Sequence, residues 1–372
     1  MTSARPSPSA PPTRPAVVLL NFGGPRSLDE VPGFLYEILR DPNTIQLPWP
    51  QWLQDRLARR IAQRRSHEVA RQYATIGGAS PIVPATRRIR NALRDALARA
   101  GRPWPVHVAQ RYLPGDTKAT VAALLAEGAD SLFVVPLYPH FSYATSGSSF
   151  LQLRQALQAA GWEGPLQALR SYPDAPGLLD ALGERLETTL REARLQPDGT
   201  VILCSAHGLP RVYVERGDPY RDELLRTLEA LRRRFPAWRF DLSFQSRVGP
   251  MEWLRPYTDE VVPQLAREGL RHVVFLPLAF VNDHIETLYE IGVTYFALAR
   301  SHGLTPHLVP AVEDHPAHIR VLSEAVLAWA ERGAGEPLAT LLPAGQHFRR
   351  VGVWAWGLWA LALAAALAYA LL

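Results

Sequence analysis

The sequence predicts an α/β protein of two similar doubly wound parallel-sheet halves, followed by a single C-terminal transmembrane helix. Short apolar runs that alternate with helix-like stretches indicate the parallel sheets. Two pairs of matching segments indicate related halves, and 22 uncharged residues at the end indicate the membrane helix. We expect a disordered proline-rich leader, an N-terminal half, a C-terminal half, a linker and the transmembrane helix, at 1–15, 16–180, 181–335, 336–350 and 351–372.

Six short apolar runs are the strand candidates, at 16–21, 106–111, 131–137, 200–205, 240–245 and 272–278. Helix-like stretches separate them, and this order is typical of a parallel sheet. In such sheets ligands bind outside the carboxyl ends of the strands. Functional residues are therefore expected directly after the runs.

Two pairs of segments relate the halves to each other. The dipeptide EG at 127–128 leads into SLFVVPLYPHFS, and 141 residues later EG at 268–269 leads into HVVFLPLAFVND. AVVLLNFGGP at 16–25 and TVILCSAHGLP at 200–210 each resemble a buried strand that breaks into a loop with glycine and proline. The sequence therefore predicts a repeated α/β unit.

The composition excludes several classes of protein. With 47% hydrophobic and 20% charged residues, the 372-residue chain can bury a substantial core, which excludes a largely disordered or coiled-coil protein. A single cysteine, Cys204, excludes an intrachain disulfide framework, a cysteine-based zinc site and a four-cysteine iron–sulfur cluster. The net charge of +5 is modest, and the arginine clusters are predicted to be solvated helix faces, so no nucleic-acid partner is expected.

The two ends of the chain differ from the rest. Residues 1–15 contain five prolines and no continuous apolar region, which excludes a secretory signal. Residues 351–372 carry no charge and, as a helix, would be about 33 Å long, enough for a hydrocarbon core of about 30 Å. Arg349 and Arg350 precede this stretch and tryptophans lie near its start, which is typical of a cytoplasmic flank and an interfacial belt. We expect a protein anchored to the cytoplasmic face of the membrane; a helix docked on the halves is the alternative.

One histidine and three carboxylates follow predicted strands. His207 follows the fourth run, and its imidazole can transfer a proton near neutral pH or bind a metal through one nitrogen. Asp283, Glu286 and Glu290 follow the sixth run at three- and four-residue spacing, so an α-helix would place them on one face. A structural or surface role for the histidine and a solvated face for the carboxylates are the alternatives.

Aromatic residues and an arginine on these loops predict a large, flat, apolar pocket with few cations, which suits a planar ligand that carries carboxylates. They are Phe22, Tyr73, Arg111, Tyr112, Trp253 and Phe280. The glycine loops at 21–25 and 76–81 lack the GxGxxG and GxxxxGK[ST] spacings, so they predict backbone turns rather than nucleotide binding.

Seven motifs in this order resemble those of the ferrochelatases, which insert ferrous iron into a porphyrin in haem synthesis: LNFGGP, QYATIGGASP, YPHFS, SAHGLP, GDPY, FQSRVGPMEWL and DHIETLYE. The resemblance runs over about 17–316. It implies a two-half chelatase fold, with His207 and Glu286 as the catalytic and metal-handling pair on one side of the porphyrin. The residues toward the other side are Phe22, Arg111 and Tyr112, and the further substrate-binding residues are Tyr73, Ser246, Trp253, Phe280, Asp283, His284 and Glu290.

The resemblance also indicates the substrate. The family's branch that acts on coproporphyrin tends to have tyrosine at the position of Phe22, so protoporphyrin is expected here. Iron is then a substrate and no resident cofactor is expected, since the C-terminal cysteines that hold an iron–sulfur cluster in the animal enzymes are absent. The expected partners are the porphyrin, ferrous iron, the membrane and the preceding enzyme of the haem pathway. The alternatives are a coproporphyrin III ferrochelatase, cobalt insertion in corrinoid synthesis, and a non-catalytic tetrapyrrole or metal carrier on the same fold.

Overall fold

The computed structural model describes residues 14–42, 50–248 and 251–342. The predicted transmembrane helix lies outside the described residues, as do most of the predicted leader and linker. Within the described ranges, no helix is both long enough and apolar enough to cross a membrane.

The described residues form nine strands: β1 (Pro15–Asn21), β2 (Val106–Gln110), β3 (Ser131–Pro136), β4 (Leu166–Ala168), β5 (Thr200–His207), β6 (Arg239–Gln245), β7 (His272–Pro277), β8 (Thr305–Leu308) and β9 (Glu336–Pro337). All six predicted strands are confirmed, with ends that differ by one or two residues. The sequence did not predict β4, β8 and β9, which have two to four residues and lack a continuous apolar run.

The helices pack around and between the strands: α1 (Val31–Arg40), α2 (Gln51–Thr75), α3 (Ile82–Arg99), α4 (Asp116–Ala126), α5 (Ser148–Ala159), α6 (Pro176–Glu192), α7 (Arg211–Glu215), α8 (Tyr220–Arg234), α9 (Thr258–Arg267), α10 (Phe296–Ser301) and α11 (Pro316–Arg332). Short 3₁₀ turns cover Leu28–Glu30 and Leu338–Leu341. Two wider π-helices cover Tyr143–Gly147 and Glu286–Tyr295.

Apart from the additional strand β9, the two sheets have the same strand order, which confirms the predicted repeat. The first sheet has the order β2-β1-β3-β4-β9 and the second has the order β6-β5-β7-β8. All neighbours are parallel except β4 and β9. In both halves a π-helix also follows the third strand, so the repeat extends into the loop that carries the candidate site residues.

The boundaries between segments differ from the predicted ones. The predicted division between residues 180 and 181 falls inside α6, and Pro15, predicted as the end of the leader, begins β1. The predicted linker starts as β9, which pairs antiparallel with β4 of the first sheet. Local sequence could not indicate the pairing of β9 with β4, because this pairing joins distant parts of the chain.

One hydrophobic core lies between the two sheets. It combines Val17 and Phe133 of the first sheet with Ile202 and Leu276 of the second. The ring of Trp329 on α11 stacks on Phe133, with 5.2 Å between the ring centroids. The two halves are therefore joined by shared apolar packing. The side-chain amide of Asn21, at the end of β1, also donates to the Asn282 Oδ1 at 2.8 Å, in the loop that follows β7. The region between the loops that follow β1 and β7 is called the cleft below.

Helix α2 forms one wall of that cleft. Its buried residues recur at three- and four-residue spacing, which gives one buried stripe along the helix. They are Gln54, Ala58, Ala62, Ser66, Val69 and Tyr73. The helix ends where Gly77 and Gly78 adopt φ of 106° and 84°, and the Gly78 N–H donates to the Tyr73 carbonyl at 2.8 Å. The backbone-turning role predicted for the 76–81 loop is confirmed.

Candidate active site

Three polar residues meet at the carboxyl end of the second sheet. His207 is the last residue of β5, Ser246 directly follows β6, and Glu286 begins the π-helix after β7. Because β5 lies between β6 and β7, the three strand ends are adjacent. The parallel sheet thus places residues from three distant parts of the chain at one edge, as predicted.

His207 and Glu286 form a direct pair. The His207 Nδ1 lies 2.8 Å from the Glu286 Oε2. The imidazole is 41% exposed and the carboxylate 23% exposed, so the pair faces the cleft. The Tyr220 hydroxyl donates to the His207 carbonyl at 3.1 Å and fixes the backbone on which the ring stands. With Nδ1 held by the carboxylate, the Nε2 edge of the ring is the one available for chemistry.

Each member of the pair shifts the pKa of the other. Burial would raise the pKa of Glu286, but His207 and its hydrogen bond outweigh burial and lower this pKa to about 2. Burial would likewise lower the pKa of His207, but the Glu286 charge, the hydrogen bond to Glu286 and the Glu290 charge together outweigh burial and raise this pKa. Glu286 is therefore ionised at neutral pH, and the imidazole beside it has an increased affinity for a proton.

Glu290 lies one turn farther along the π-helix. It accepts hydrogen bonds from the Ser246 N–H at 2.8 Å, from the Ser246 hydroxyl, from the Gln245 Nε2 at 3.3 Å and from the Tyr295 hydroxyl at 3.2 Å. Burial and then repulsion from Glu286 raise the pKa of Glu290. The two carboxyls therefore differ in proton affinity, which is the arrangement expected of neighbouring groups with different roles in proton transfer.

The helix that carries these carboxylates differs from the predicted α-helix. In a π-helix the hydrogen bonds run from residue i to residue i+5, so Glu286, Glu290 and Tyr295 share one side. Asp283 precedes this helix, and its carboxylate accepts from the Thr287 hydroxyl at 2.9 Å instead of joining the row. The predicted row of three carboxylates is wrong in this respect, because the wider helix and the turn before it change the direction of the side chains.

Ser246 holds both carboxylates. Its N–H and hydroxyl bind Glu290, and its hydroxyl oxygen also lies 3.3 Å from the Glu286 Oε2. Its φ of 64° is uncommon for a residue with a side chain. The sequence assigned Ser246 to the substrate, whereas in the structure its polar atoms position Glu286 and Glu290.

Aromatic rings border the pair. The ring of Trp253 lies edge-on to His207, with centroids 6.3 Å apart, and the ring of Phe280 packs on His284 at 4.5 Å. Gly208 allows the approach of Trp253, since a Cβ there would lie 3.0 Å from the indole. Burial lowers the pKa of His284, whose Nε2 lies 3.9 Å from the Glu286 Oε1.

The N-terminal half supplies the opposite wall. Phe22 packs against Tyr112 at 4.6 Å and against Phe34 at 6.2 Å between centroids. Tyr73, on the last turn of α2, is buried beside Ile285, and burial followed by the charge of Glu286 raises its pKa. The predicted aromatic residues therefore stand in both halves, with Phe22 and Tyr112 in the N-terminal half and Trp253 and Phe280 in the C-terminal half.

Arg111 is bound to the protein itself. Its guanidinium forms a buried ion pair with Asp41 and donates to the Ser148 carbonyl at 2.7 Å. The Tyr112 hydroxyl donates to the same Asp41 carboxylate at 2.7 Å. The sequence assigned Arg111 to the porphyrin, but in the structure Asp41 already meets its charge. Sequence reasoning missed Asp41, because a lone aspartate after a helix carries no pattern that indicates a partner 70 residues away.

We expect Asp41→Asn to lower the free energy of unfolding by about 3 kcal/mol, because it leaves the buried Arg111 guanidinium without a counter-charge. Denaturant titration measures this loss. The matched control is Asp259→Asn, which breaks the exposed pair with Arg247 and should cost less than about 1 kcal/mol. Equal losses in the two variants would contradict the structural role of the Asp41–Arg111 pair.

Comparisons with known proteins agree with this architecture. Residues 14–329 match the family model described as Ferrochelatase. The chain is 38% identical over 355 residues to a ferrochelatase of Synechococcus sp. (strain RCC307), covering 93% of this chain and 90% of that one. It is 41% identical over 325 residues to a ferrochelatase of Cyanothece sp. (strain PCC 7425 / ATCC 29141), covering 84% and 82%.

A solved structure supports the fold alone. The structure of SirB from Bacillus subtilis with Fe³⁺ superimposes with a TM-score of 0.53 and 12% identity, covering 87% of this chain and all of that one. The two-half α/β architecture is thus shared with that protein. The extent and identity of the sequence matches go further and show that the chain belongs to the ferrochelatase family.

Proposed function

We propose that this protein inserts ferrous iron into protoporphyrin IX at the His207–Glu286 pair and so makes protohaem. The observation that carries the proposal is the 2.8 Å contact between imidazole and carboxylate at the open carboxyl end of the second sheet. Membership of the family gives metal insertion into a porphyrin in haem synthesis. The residues in the cleft support the assignment of each chemical task.

The reaction requires two proton acceptors and a weak metal site. A free porphyrin carries two inner N–H protons, and both leave as Fe²⁺ enters, so the charges balance. Imidazole and carboxylate can accept protons and also bind ferrous iron moderately. Two protein ligands leave most positions of the metal open, as an ion that must be handed to the ring requires.

The geometry suggests a division of tasks. His207 Nε2 faces the ring and accepts a proton, while Glu286 stabilises the resulting imidazolium through Nδ1. Glu290, whose pKa is raised, takes the second proton through the Ser246 hydroxyl that joins the two carboxylates. Phe22 and Trp253 hold the flat apolar ring by contact. A carrier on the same fold would need the pocket but not this proton-accepting pair.

We expect protoporphyrin to be metallated with a kcat/KM about tenfold higher than coproporphyrin. Coproporphyrin carries two additional carboxylates, which an apolar pocket with its arginine already paired would have to desolvate. Initial rates with each porphyrin and Fe²⁺ measure the ratio. A higher kcat/KM for coproporphyrin would overturn the substrate assignment and favour the coproporphyrin alternative.

We also propose that residues 351–372 anchor the protein to the cytoplasmic face of the membrane. The support is the uncharged 22-residue stretch, its arginine flank and its tryptophans. Protoporphyrin is strongly apolar, so an anchor would keep the cleft near its substrate and near the enzyme that produces it.

Truncation after Arg350 should release the protein from membranes and leave its activity on detergent-solubilised porphyrin unchanged within about twofold, because the chemistry lies in the α/β halves. Sedimentation of membranes after a salt wash, followed by an activity assay of both fractions, provides the measurement. If the truncated protein still sediments with membranes after the salt wash, the anchor is excluded. If it unfolds, the docked-helix alternative is favoured.

A further inference from the structure

One face of α2 carries positive charge that the described protein does not balance. Opposite its buried stripe, the helix presents four exposed arginines at spacings of four, four and seven residues. These residues are Arg56, Arg60, Arg64 and Arg71, here called the arginine row. Because the spacing follows the helical repeat, their guanidinium groups project from the same side of α2.

The arginine row lacks direct ion-pair partners within the described residues. None of its four members forms an ion pair there. The helix contains two acidic residues: Asp55 pairs with Arg40, and Glu68 lies more than 4.0 Å from every arginine of the row. The face therefore presents a net positive charge to an external partner.

The shape of this face suits a flat surface. Trp52 precedes the row by one turn and is 60% exposed, which is unusual for so large an aromatic side chain. From Trp52 to Arg71 the helix axis spans about 28 Å in a straight line. A planar anionic surface can meet all of these side chains at once. Guanidinium groups bind phosphates in a bidentate manner, and tryptophan is enriched at the interface of bilayers.

We infer that the arginine row and Trp52 bind an anionic phospholipid surface. This contact is electrostatic and separate from the hydrophobic tail. It would place the outer face of α2 at the membrane, with the buried stripe that includes Tyr73 on the opposite side of the helix.

The test is a footprint on the full-length protein, since the tail would bind vesicles of any composition. Gln63 lies between Arg60 and Arg64 and is exposed. The chain has one cysteine, Cys204, which is buried and whose thiol pKa is raised by burial. In Gln63→Cys, an uncharged polyethylene-glycol maleimide will therefore modify the introduced thiol selectively. The rate is measured after addition of the protein to preformed vesicles.

We expect modification at least tenfold slower with vesicles that contain phosphatidylglycerol than with vesicles of phosphatidylcholine alone. About 1 M salt should restore the rate, since screening then acts within about 3 Å. A second reporter, Glu229→Cys on α8, should react equally with both kinds of vesicle. Neutralising the row by R56Q/R60Q/R64Q/R71Q should abolish the protection of the first reporter.

The matched control is R99Q/R221Q/R267Q/R332Q, which removes the same charge from exposed arginines that also lack ion pairs in the described ranges. This control variant should keep the protection of the thiol at position 63.

Three results would overturn the inference: equal modification rates with both kinds of vesicle, protection that resists salt, or protection that survives neutralisation of the arginine row. So would protection by soluble polyglutamate with none by vesicles, which would indicate an acidic protein partner. Haem formation in detergent, which tests the proposed function, should be unchanged in both quadruple variants.

Discussion

Replacement of His207 by alanine should abolish nearly all iron insertion and leave porphyrin binding within a few-fold of wild type. The imidazole accepts a proton and captures iron, whereas aromatic side chains such as Phe22 and Trp253 hold the ring. Loss of a general base typically lowers the rate by about 10² to 10⁴, and the loss of a metal-handling group adds to that. The kcat is measured from haem absorbance, and binding is measured from porphyrin fluorescence.

The matched control for this variant is His272→Ala, because His272 lies at the opposite end of the second sheet, at the start of β7. It should keep a kcat near that of the wild type. If His207→Ala keeps more than about a tenth of the wild-type kcat with binding intact, the imidazole is not the catalytic base, and the carrier alternative gains support.

Glu286→Gln is expected to lower kcat by about 10² or more, because it keeps the volume of the side chain but removes its charge. Since that charge raises the pKa of His207, the variant should also form neutral imidazole at lower pH. The acidic limb of the pH profile of kcat/KM should therefore shift to lower pH. Glu290→Gln, one turn farther on, should lose less activity.

The informative result is the order of the losses in kcat. His207→Ala and Glu286→Gln should each lose more kcat than Glu290→Gln. The Ser246 N–H donates to one oxygen of Glu290 and the Ser246 hydroxyl to the other. A glutamine at 290 can keep the first contact with its amide oxygen and donate from its amide nitrogen to the hydroxyl oxygen, so this variant provides a control for disruption of the π-helix. A larger loss in Glu290→Gln than in Glu286→Gln, or an acidic limb that does not move in Glu286→Gln, would contradict the assigned roles.

The sequence predicted the central strands of both sheets because they are buried on both faces and therefore consist of continuous apolar residues. The short strands β4 and β8 are different. β8 begins with Thr305 and Pro306 and pairs on one side with β7, so its pattern is that of a loop. The pairing of β9 with β4 joins residues about 170 positions apart, and no local pattern indicates it.

The sequence also indicated His207 and Glu286, because His207 ends one strand and Glu286 lies on the segment after the neighbouring strand, and the ends of these strands meet. It did not indicate the contacts that position them. The bonds of Ser246 to Glu286 and Glu290 depend on a π-helix, and the spacing of the carboxylates fits an α-helix equally well. The ion pair of Arg111 with Asp41 depends on the packing of α1 against the loop after β2, which local patterns do not record.

The most direct test of this account is the number of haem molecules that one protein molecule forms. Purified full-length protein in detergent is mixed with a hundredfold excess of protoporphyrin and Fe²⁺ without oxygen, and haem absorbance is followed over time. If the His207–Glu286 pair is the catalytic site, the wild-type protein should form many equivalents of haem per protein molecule. The His207→Ala variant should form almost no haem at the same porphyrin occupancy. Haem formation that stops at one equivalent per protein, or that is equal for both proteins, would contradict an enzyme built on this pair.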